Sequence, residues 1–135
     1  MPDPQKLRYS TTHEWVSVEA GPDGTSLATV GLSAFALTAL TDLVFVELPK
    51  PGRKVSAGEP MGEIESVKAV SDIYSPIDGE VVESNRAVVE HLEKLPEDPY
   101  GAGWLVKIRI SDDAGLAKLL DYTAYQKQCE EEGQH

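Results

Sequence analysis

Residues 62–81 read GEIESVKAVSDIYSPIDGEV, and this stretch decides the fold class. β-favouring residues lie on both sides of a short central segment. They predict two strands, Pro60 to Val67 and Val70 to Ile77, joined as a hairpin. The tip of this hairpin is Val67-Lys68-Ala69, and a further turn follows at Asp78-Gly79. The pattern therefore predicts an exposed turn that carries a lysine.

The rest of the chain also alternates short strands with turns. The turn Gly21-Pro22-Asp23-Gly24 predicts a hairpin between a strand that ends at Val18 and a strand that begins at Leu27. Val44, Val46 and Leu48 are expected to share one face of a further predicted strand. The predicted strands are Arg8 to Val18, Leu27 to Leu32, Leu43 to Leu48, Glu80 to Glu83 and Trp104 to Ile110.

Helical patterns are few. Ser33 can cap a helix of about two turns, which is too short to be stable without packing partners. Ser111 can cap a second helix, whose leucines recur at helical spacing: Leu116, Leu119 and Leu120. Thr123 and Gln126 fit a capping box for a last helix. These patterns predict a mainly β fold, with a short helix in the N-terminal half and C-terminal helices from about residue 111.

The composition limits the possible partners. The chain has 135 residues, which favours a single domain over residues 1–135. It has a net charge of −11 and an isoelectric point near 4.6, which argue against nucleic acid and anionic membranes as partners. Neither a secretory leader nor an apolar run of about 20 residues is expected. With Cys129 as the single cysteine, a cytoplasmic location is predicted, although a mature mitochondrial protein has the same pattern.

Residue patterns typical of catalysis are missing from the sequence. It contains no nucleophile elbow, phosphate loop or dinucleotide fingerprint, and its three histidines form no metal-binding pair. His13 and Glu14 permit two interpretations: an acid–base pair, or a histidine that begins a strand and has a hydrogen-bonded side chain. Acidic neighbours raise the pKa of a thiol and make Cys129 a poor nucleophile. The chain is therefore predicted not to be an enzyme.

The segment around Lys68, with its E-S-V-K-A core and the following S-P-x-x-G-E-V, resembles the lipoyl-attachment segment of the glycine cleavage system H protein family. Three other segments resemble motifs of the same family, and they occur in the same order. These are H-E-W at His13-Glu14-Trp15, D-L-V-F-V-E-L-P at residues 42–49 and D-P-Y-G-x-G-W at residues 98–104.

The resemblance implies a barrel-sandwich hybrid fold and a non-catalytic carrier. In the family, a separate enzyme attaches lipoate as an amide to the lysine that corresponds to Lys68. The resulting swinging arm takes the aminomethyl group of glycine from the glycine decarboxylase to the aminomethyltransferase, and dihydrolipoyl dehydrogenase reoxidises it. The resemblance also implies that Glu14 and Asp72 contact the arm, that no metal is bound and that the protein is a monomer.

Two segments depart from the family pattern. The helix that Ser33 begins lacks the usual polar face, and Pro96 replaces a common asparagine. Two alternatives to the carrier of the glycine cleavage system are an H-like protein that relays lipoate to other complexes and an unmodified binding module of the same fold.

Overall fold

The computed structural model describes residues 7–20, 25–40, 42–110, 116 and 118–133. The helices within them are α1 (Ala34–Ala39), α2 (Arg86–Glu90), α3 (Lys94–Glu97) and α4 (Tyr122–Gly133). The strands are β1 (Arg8–Tyr9), β2 (Glu14–Ala20), β3 (Ser26–Leu32), β4 (Leu43–Glu47), β5 (Lys54–Val55), β6 (Pro60–Ser66), β7 (Val70–Tyr74), β8 (Gly79–Ser84) and β9 (Val106–Ile110).

The strands form two antiparallel sheets. One has the order β1-β2-β3-β9-β8-β5, and the other has the order β4-β6-β7. Aliphatic side chains from both sheets form one core, which includes Val30 and Ile108 from the larger sheet and Ile64 and Ile73 from the smaller. Burial of each such side chain contributes about 1.5–3 kcal/mol. This arrangement confirms the predicted mainly β fold and the barrel-sandwich hybrid.

Strand alternation determines which residues enter the core. In β9, Val106, Ile108 and Ile110 are buried, whereas Arg109 is exposed, as the alternating pattern predicts. The prediction for β4 was wrong at one position, because Val44 is 52% exposed while Val46 is 1% exposed. A register shift between residues 43 and 45 turns Val44 away from the core.

A second, aromatic cluster packs α4 against the other face of the larger sheet. Its buried members are Leu7, Tyr9, Trp15, Tyr125 and Cys129. The rings of Tyr9 and Tyr125 stack with 4.3 Å between their centroids. Since Val16 belongs to the main core and its neighbour Trp15 to the aromatic cluster, β2 separates the two clusters.

The helix predictions are confirmed in part. Ser33 caps α1, and its side chain accepts a hydrogen bond from the Ala36 backbone N–H. The capping box at Thr123 was wrong, because the Asp121 carboxylate accepts the Ala124 N–H at the start of α4. Leu120 does not continue a helix but pairs with Tyr9 in a β-bridge.

Some predictions fall on residues outside the described ones, namely the turn at residues 21–24 and the cap and first turn of the helix expected from 111. Helices α2 and α3 were missed. They are five and four residues long, too short to give a periodic pattern. No helix in the described part of the chain is long and apolar enough to cross a membrane.

Candidate functional site

Lys68 lies in the turn that joins β6 to β7. Ser66 N–H donates to Ala69 O at 2.8 Å, and this bond closes the turn around Val67 and Lys68. Val67 N–H donates to Asp42 O at 3.0 Å, which ties the turn to the residue just before β4. Asp42 has a φ of +58°, in the left-handed region that aspartate tolerates better than most residues. Hydrogen bonds within the hairpin and to Asp42 therefore hold the turn that carries Lys68.

The side chain of Ser66 completes the turn. Two-residue hairpin loops commonly use positive φ, but His13 and Asp42 are the only non-glycine residues with positive φ in the described chain. The Ser66 hydroxyl instead accepts the Ala69 N–H at 3.1 Å and lies 3.3 Å from Ala69 O. The turn is therefore formed by Val67 and Lys68 without a positive φ at either residue.

Ser66→Ala is expected to loosen the tip, because the Ala69 N–H loses its acceptor. The free energy of unfolding should fall by about 1 kcal/mol. Amide hydrogen exchange at Ala69 should become faster, and Ser71→Ala, at an exposed position of β7, is the control. Unchanged protection of Ala69 would show that the serine does not hold the turn.

The Lys68 side chain is exposed and free of polar contacts. No hydrogen bond or ion pair to its ammonium group occurs among the described residues. A primary amine on a rigid, exposed turn can be reached by an enzyme and acylated. The predicted position of Lys68 at the hairpin tip is confirmed.

Glu14 occupies the opposite kind of environment, since only 1% of it is exposed. Its carboxylate accepts hydrogen bonds from the Ser10 hydroxyl at 2.5 Å, from the Thr12 hydroxyl and from the Tyr74 N–H at 3.3 Å. Burial raises its pKa above the ordinary 4.5, and these hydrogen bonds oppose the rise. The carboxylate thus links β2 in one sheet to β7 in the other.

A cavity of about 270 Å³ lies beside this carboxylate. Ser10, Thr12 and Tyr74, which all donate to Glu14, are among its lining residues, and Lys118 lies at another part of the wall. The two hydroxyls were not identified from the sequence. Their spacing of two and four residues before Glu14 is the signal that could have found them.

Asp72 is exposed and does not lie with Glu14. It is directly opposite Glu63 in the β6–β7 pair, and Glu63 is opposite Glu47 in the β4–β6 pair. No hydrogen bond joins Asp72 to Glu14 within the described chain, although Tyr74, two residues further along β7, contacts Glu14. The structure therefore places Glu14 in the interior and Asp72 on the surface of the smaller sheet.

The His13 side chain contacts residues of α1 and α4. Its Nδ1 atom is 2.7 Å from the Tyr125 hydroxyl, and its Nε2 atom is 3.2 Å from a Glu132 carboxylate oxygen. The ring also stacks on Phe35 at 5.0 Å. These contacts join the residue just before β2 to α4, and they favour the interpretation of a histidine at the start of a strand with a hydrogen-bonded side chain over an acid–base pair with Glu14.

The distant sequence motifs meet in space. Trp15 Nε1 donates to Pro99 O at 3.0 Å, and the Tyr100 hydroxyl accepts the Ala34 N–H at 3.0 Å. The Asp98 carboxylate accepts the Ala102 N–H at 2.9 Å and shapes the loop. Residues 98–104 therefore hold β2 and α1 in place through these hydrogen bonds.

Helix α1 and Pro96, which both depart from the family's sequence pattern, line one groove of about 720 Å³ between α1 and α2. Leu37, Leu40 and Pro96 are among its apolar residues, and Asp42 and Glu90 are among its acidic ones.

Other reactive groups in the described chain do not form a catalytic centre. No cluster of three or more histidine, cysteine or acidic residues could hold a metal ion among the residues described. Cys129 is buried, and burial raises its pKa. Lys68 is thus the accessible reactive group of the described hairpin.

The chain is similar to known proteins over nearly its whole length. The family model described as Glycine cleavage H-protein matches residues 7–132. The glycine cleavage system H protein of Rhodopirellula baltica is 48% identical over 131 residues, which are 97% of this chain and 98% of that protein. The H protein of Rubrobacter xylanophilus is 50% identical over 129 residues and 96% of both chains.

A solved structure has the same fold. The crystal structure of a glycine cleavage system H protein from Mycobacterium marinum matches with a TM-score of 0.82 and 42% identity. The match covers 93% of this chain and 98% of the other. The family model, the relatives and the fold all agree, and the chain belongs to the glycine cleavage H-protein family.

Proposed function

We propose that the protein is the lipoyl carrier of a glycine cleavage system and that lipoate is joined to Lys68 Nζ. As a member of its family, the chain is a carrier subunit and not itself an enzyme. The exposed Lys68, held in a turn by Ser66 and Asp42, is the single observation that carries the attachment site.

Lys68 and its neighbours are compatible with an attached lipoyl group. Lys68 offers an amine without a competing carboxylate partner in the described chain, and Ala69 beside it adds little bulk. Acylation removes the positive charge of the lysine and leaves its methylene stem as a flexible tether. When attached, lipoate would supply a redox-active disulfide, which is reduced as it takes up the aminomethyl group of glycine and is oxidised again after that group has left.

The chain's own residues hold and present the arm. The turn at residues 66–69 keeps the attachment point rigid, so that the freedom of the arm begins at the lysine side chain. A tethered arm reaches a docked partner at high effective concentration. Asp72 on the surface and Glu14 beneath the cavity are proposed as contacts for the arm, since a carboxylate binds a cationic amine by charge-assisted hydrogen bonds.

The proposed partners are the glycine decarboxylase, the aminomethyltransferase, dihydrolipoyl dehydrogenase and the lipoate-attaching enzyme. We further propose that the protein acts as a monomer in the cytoplasm. Its net charge of −11 favours partners whose docking faces are basic.

Reconstituted glycine decarboxylation tests the function. Lipoylated protein should support exchange of the glycine carboxyl carbon with bicarbonate by the glycine decarboxylase, and unmodified protein should support almost none. The lipoylated Ser71→Ala variant is the folded control. If lipoylated protein were inactive here but passed its lipoate to a second carrier, the relay function would replace this proposal.

A further inference from the structure

The loop of residues 10–13, between β1 and β2, supplies most of the polar contacts of Glu14. Ser10 Oγ donates to the carboxylate at 2.5 Å and accepts the Glu14 N–H at 3.0 Å. The Thr12 hydroxyl donates to the same carboxylate oxygen, Oε1. The Ser10 N–H also donates to Glu14 O at 2.9 Å. The position of the carboxylate therefore depends on the conformation of this loop.

Helix α4 binds the two other residues of the loop. Gln128 Nε2 donates to Thr11 O at 2.9 Å. The Nδ1 atom of His13 is 2.7 Å from the Tyr125 hydroxyl, and its Nε2 atom is 3.2 Å from a Glu132 carboxylate oxygen. Along the loop, the residues that hold the carboxylate thus alternate with the residues that α4 holds.

His13 has an unusual backbone conformation directly before Glu14. Its φ of +76° lies in the left-handed region, which is unfavourable for a residue with a Cβ atom and persists where the surrounding contacts enforce it. The His13 backbone O accepts the Ser33 N–H at 2.9 Å. Its ring lies against Phe35 and Tyr125, with centroid distances of 5.0 and 5.6 Å. Contacts with α4 and with the start of α1 therefore set the direction in which β2 begins.

Tyr125 is itself fixed and can hold His13 in place. Its hydroxyl is 2.5 Å from Ser33 Oγ, and its ring stacks on that of Tyr9. The segment before α4 is attached as well, because Leu120 and Tyr9 exchange two backbone hydrogen bonds of 2.7 and 2.8 Å. Helix α4 is therefore a rigid support for the loop.

We propose that His13 is a positioning residue for Glu14, through which α4 holds the carboxylate in place. Loss of the His13 contacts would free the loop, and its two hydroxyls would leave the carboxylate. Glu14 also accepts the N–H of Tyr74 on β7, an edge strand of the smaller sheet, so α4 would act across both sheets. This inference deepens the proposed contact between Glu14 and the arm and rests on the proposed function.

A double-mutant cycle on the unmodified chain tests the coupling. Thr12→Ala removes one donor from the carboxylate and should raise the equilibrium constant of urea unfolding about fivefold. In the His13→Ala background the hydroxyl is already displaced, so Thr12→Ala should raise the constant less than about twofold. Equal effects in both backgrounds would overturn the proposal. If His13→Ala does not fold, Gln128→Ala, which removes the bond to Thr11 O, replaces it in the cycle.

Two controls separate positioning from a general loss of stability. Ser66 lies at the other end of the β6–β7 hairpin from Tyr74, and Ser66→Ala should have the same effect on the unfolding constant in both backgrounds. Asparagine tolerates positive φ and carries a polar atom near the position of the histidine Nδ1. In the His13→Asn background, Thr12→Ala should therefore regain most of its wild-type effect.

Amide hydrogen exchange monitors the carboxylate from the other sheet. The Tyr74 N–H donates to Glu14 Oε2 at 3.3 Å. His13→Ala should raise the exchange rate of Tyr74 about tenfold relative to that of Ile64, a buried residue of the same sheet, because the acceptor loses its fixed position. An unchanged ratio would show that His13 stabilises only α4 and would overturn the proposal.

The outcomes separate this inference from the proposed function. If the cycle is non-additive but lipoylated wild type supports no glycine decarboxylation, the carrier function fails and the positioning of Glu14 stands. If the cycle is additive and lipoylated wild type is active, the positioning role fails and the carrier function stands.

Discussion

Lys68→Arg is expected to abolish lipoylation and, with it, all carrier activity. The guanidinium group stays protonated at any pH that a protein tolerates, so it cannot act as the nucleophile that an amide bond requires. The substitution keeps the charge and nearly the length of the side chain. The measurement is the intact mass of the protein after expression with a lipoate-attaching enzyme, in which the variant should show no lipoyl adduct.

The same substitution should leave the fold intact. Lys68 is exposed, and within the described chain its ammonium has no partner, so the free energy of unfolding should change by less than about 0.5 kcal/mol. Lys50→Arg, at another exposed position, is the control and should be lipoylated like the wild type. An adduct that persists in Lys68→Arg would contradict the attachment site, and a large fall in thermal midpoint would contradict the free, exposed lysine.

Glu14→Ala is expected to destabilise the protein by about 2 kcal/mol at neutral pH. The change removes the acceptor for Ser10, Thr12 and the Tyr74 N–H, and buried donors without a partner are costly. It also cuts a polar link between the two sheets. Urea unfolding measures the loss, and Glu19→Gln on the same strand is the exposed control. A change below about 0.5 kcal/mol would mean that the link contributes little.

The pH dependence of Glu14 has a definite sign. Burial raises its pKa in the folded protein above 4.5, so folding favours the protonated carboxyl. The stability from this group is fully present below about pH 4.5 and is lost as pH rises through the folded-state pKa. Glu14→Gln does not titrate. The wild type should therefore lose stability relative to this variant as pH rises, and a difference that moves in the opposite direction would contradict the buried environment.

Much of the fold could be predicted because strands and turns have local signals. The alternation in β9, the cap at Ser33 and the hairpin tip at Lys68 all depend on residues close together in the chain, and all three are confirmed. The H-protein resemblance rested on four ordered motifs, and the family match confirms it. The roles of Glu14 and Asp72 remain predictions.

Two of the failures involve residues whose state depends on distant partners. Val44 was expected to share a face with Val46, but the register shift against β6 turns it outward while Val46 is buried. Leu120 has the spacing of a helix, yet it pairs with Tyr9 more than a hundred residues away in the chain. Helices α2 and α3 were missed for another reason, because they are only one or two turns long and give no periodic pattern. Local patterns contain no information on such pairings.

By itself, the sequence determined the kind of fold, the hairpin, the lysine at its tip and the lack of catalytic motifs. Hydrophobic alternation and turn chemistry act over a few residues and can be recognised without coordinates. The tertiary structure alone decided that Glu14 is buried and Asp72 exposed, that Asp42 braces the turn, and that three carboxylates form a row beside Lys68. Each of these features depends on the register between strands, which long-range packing sets.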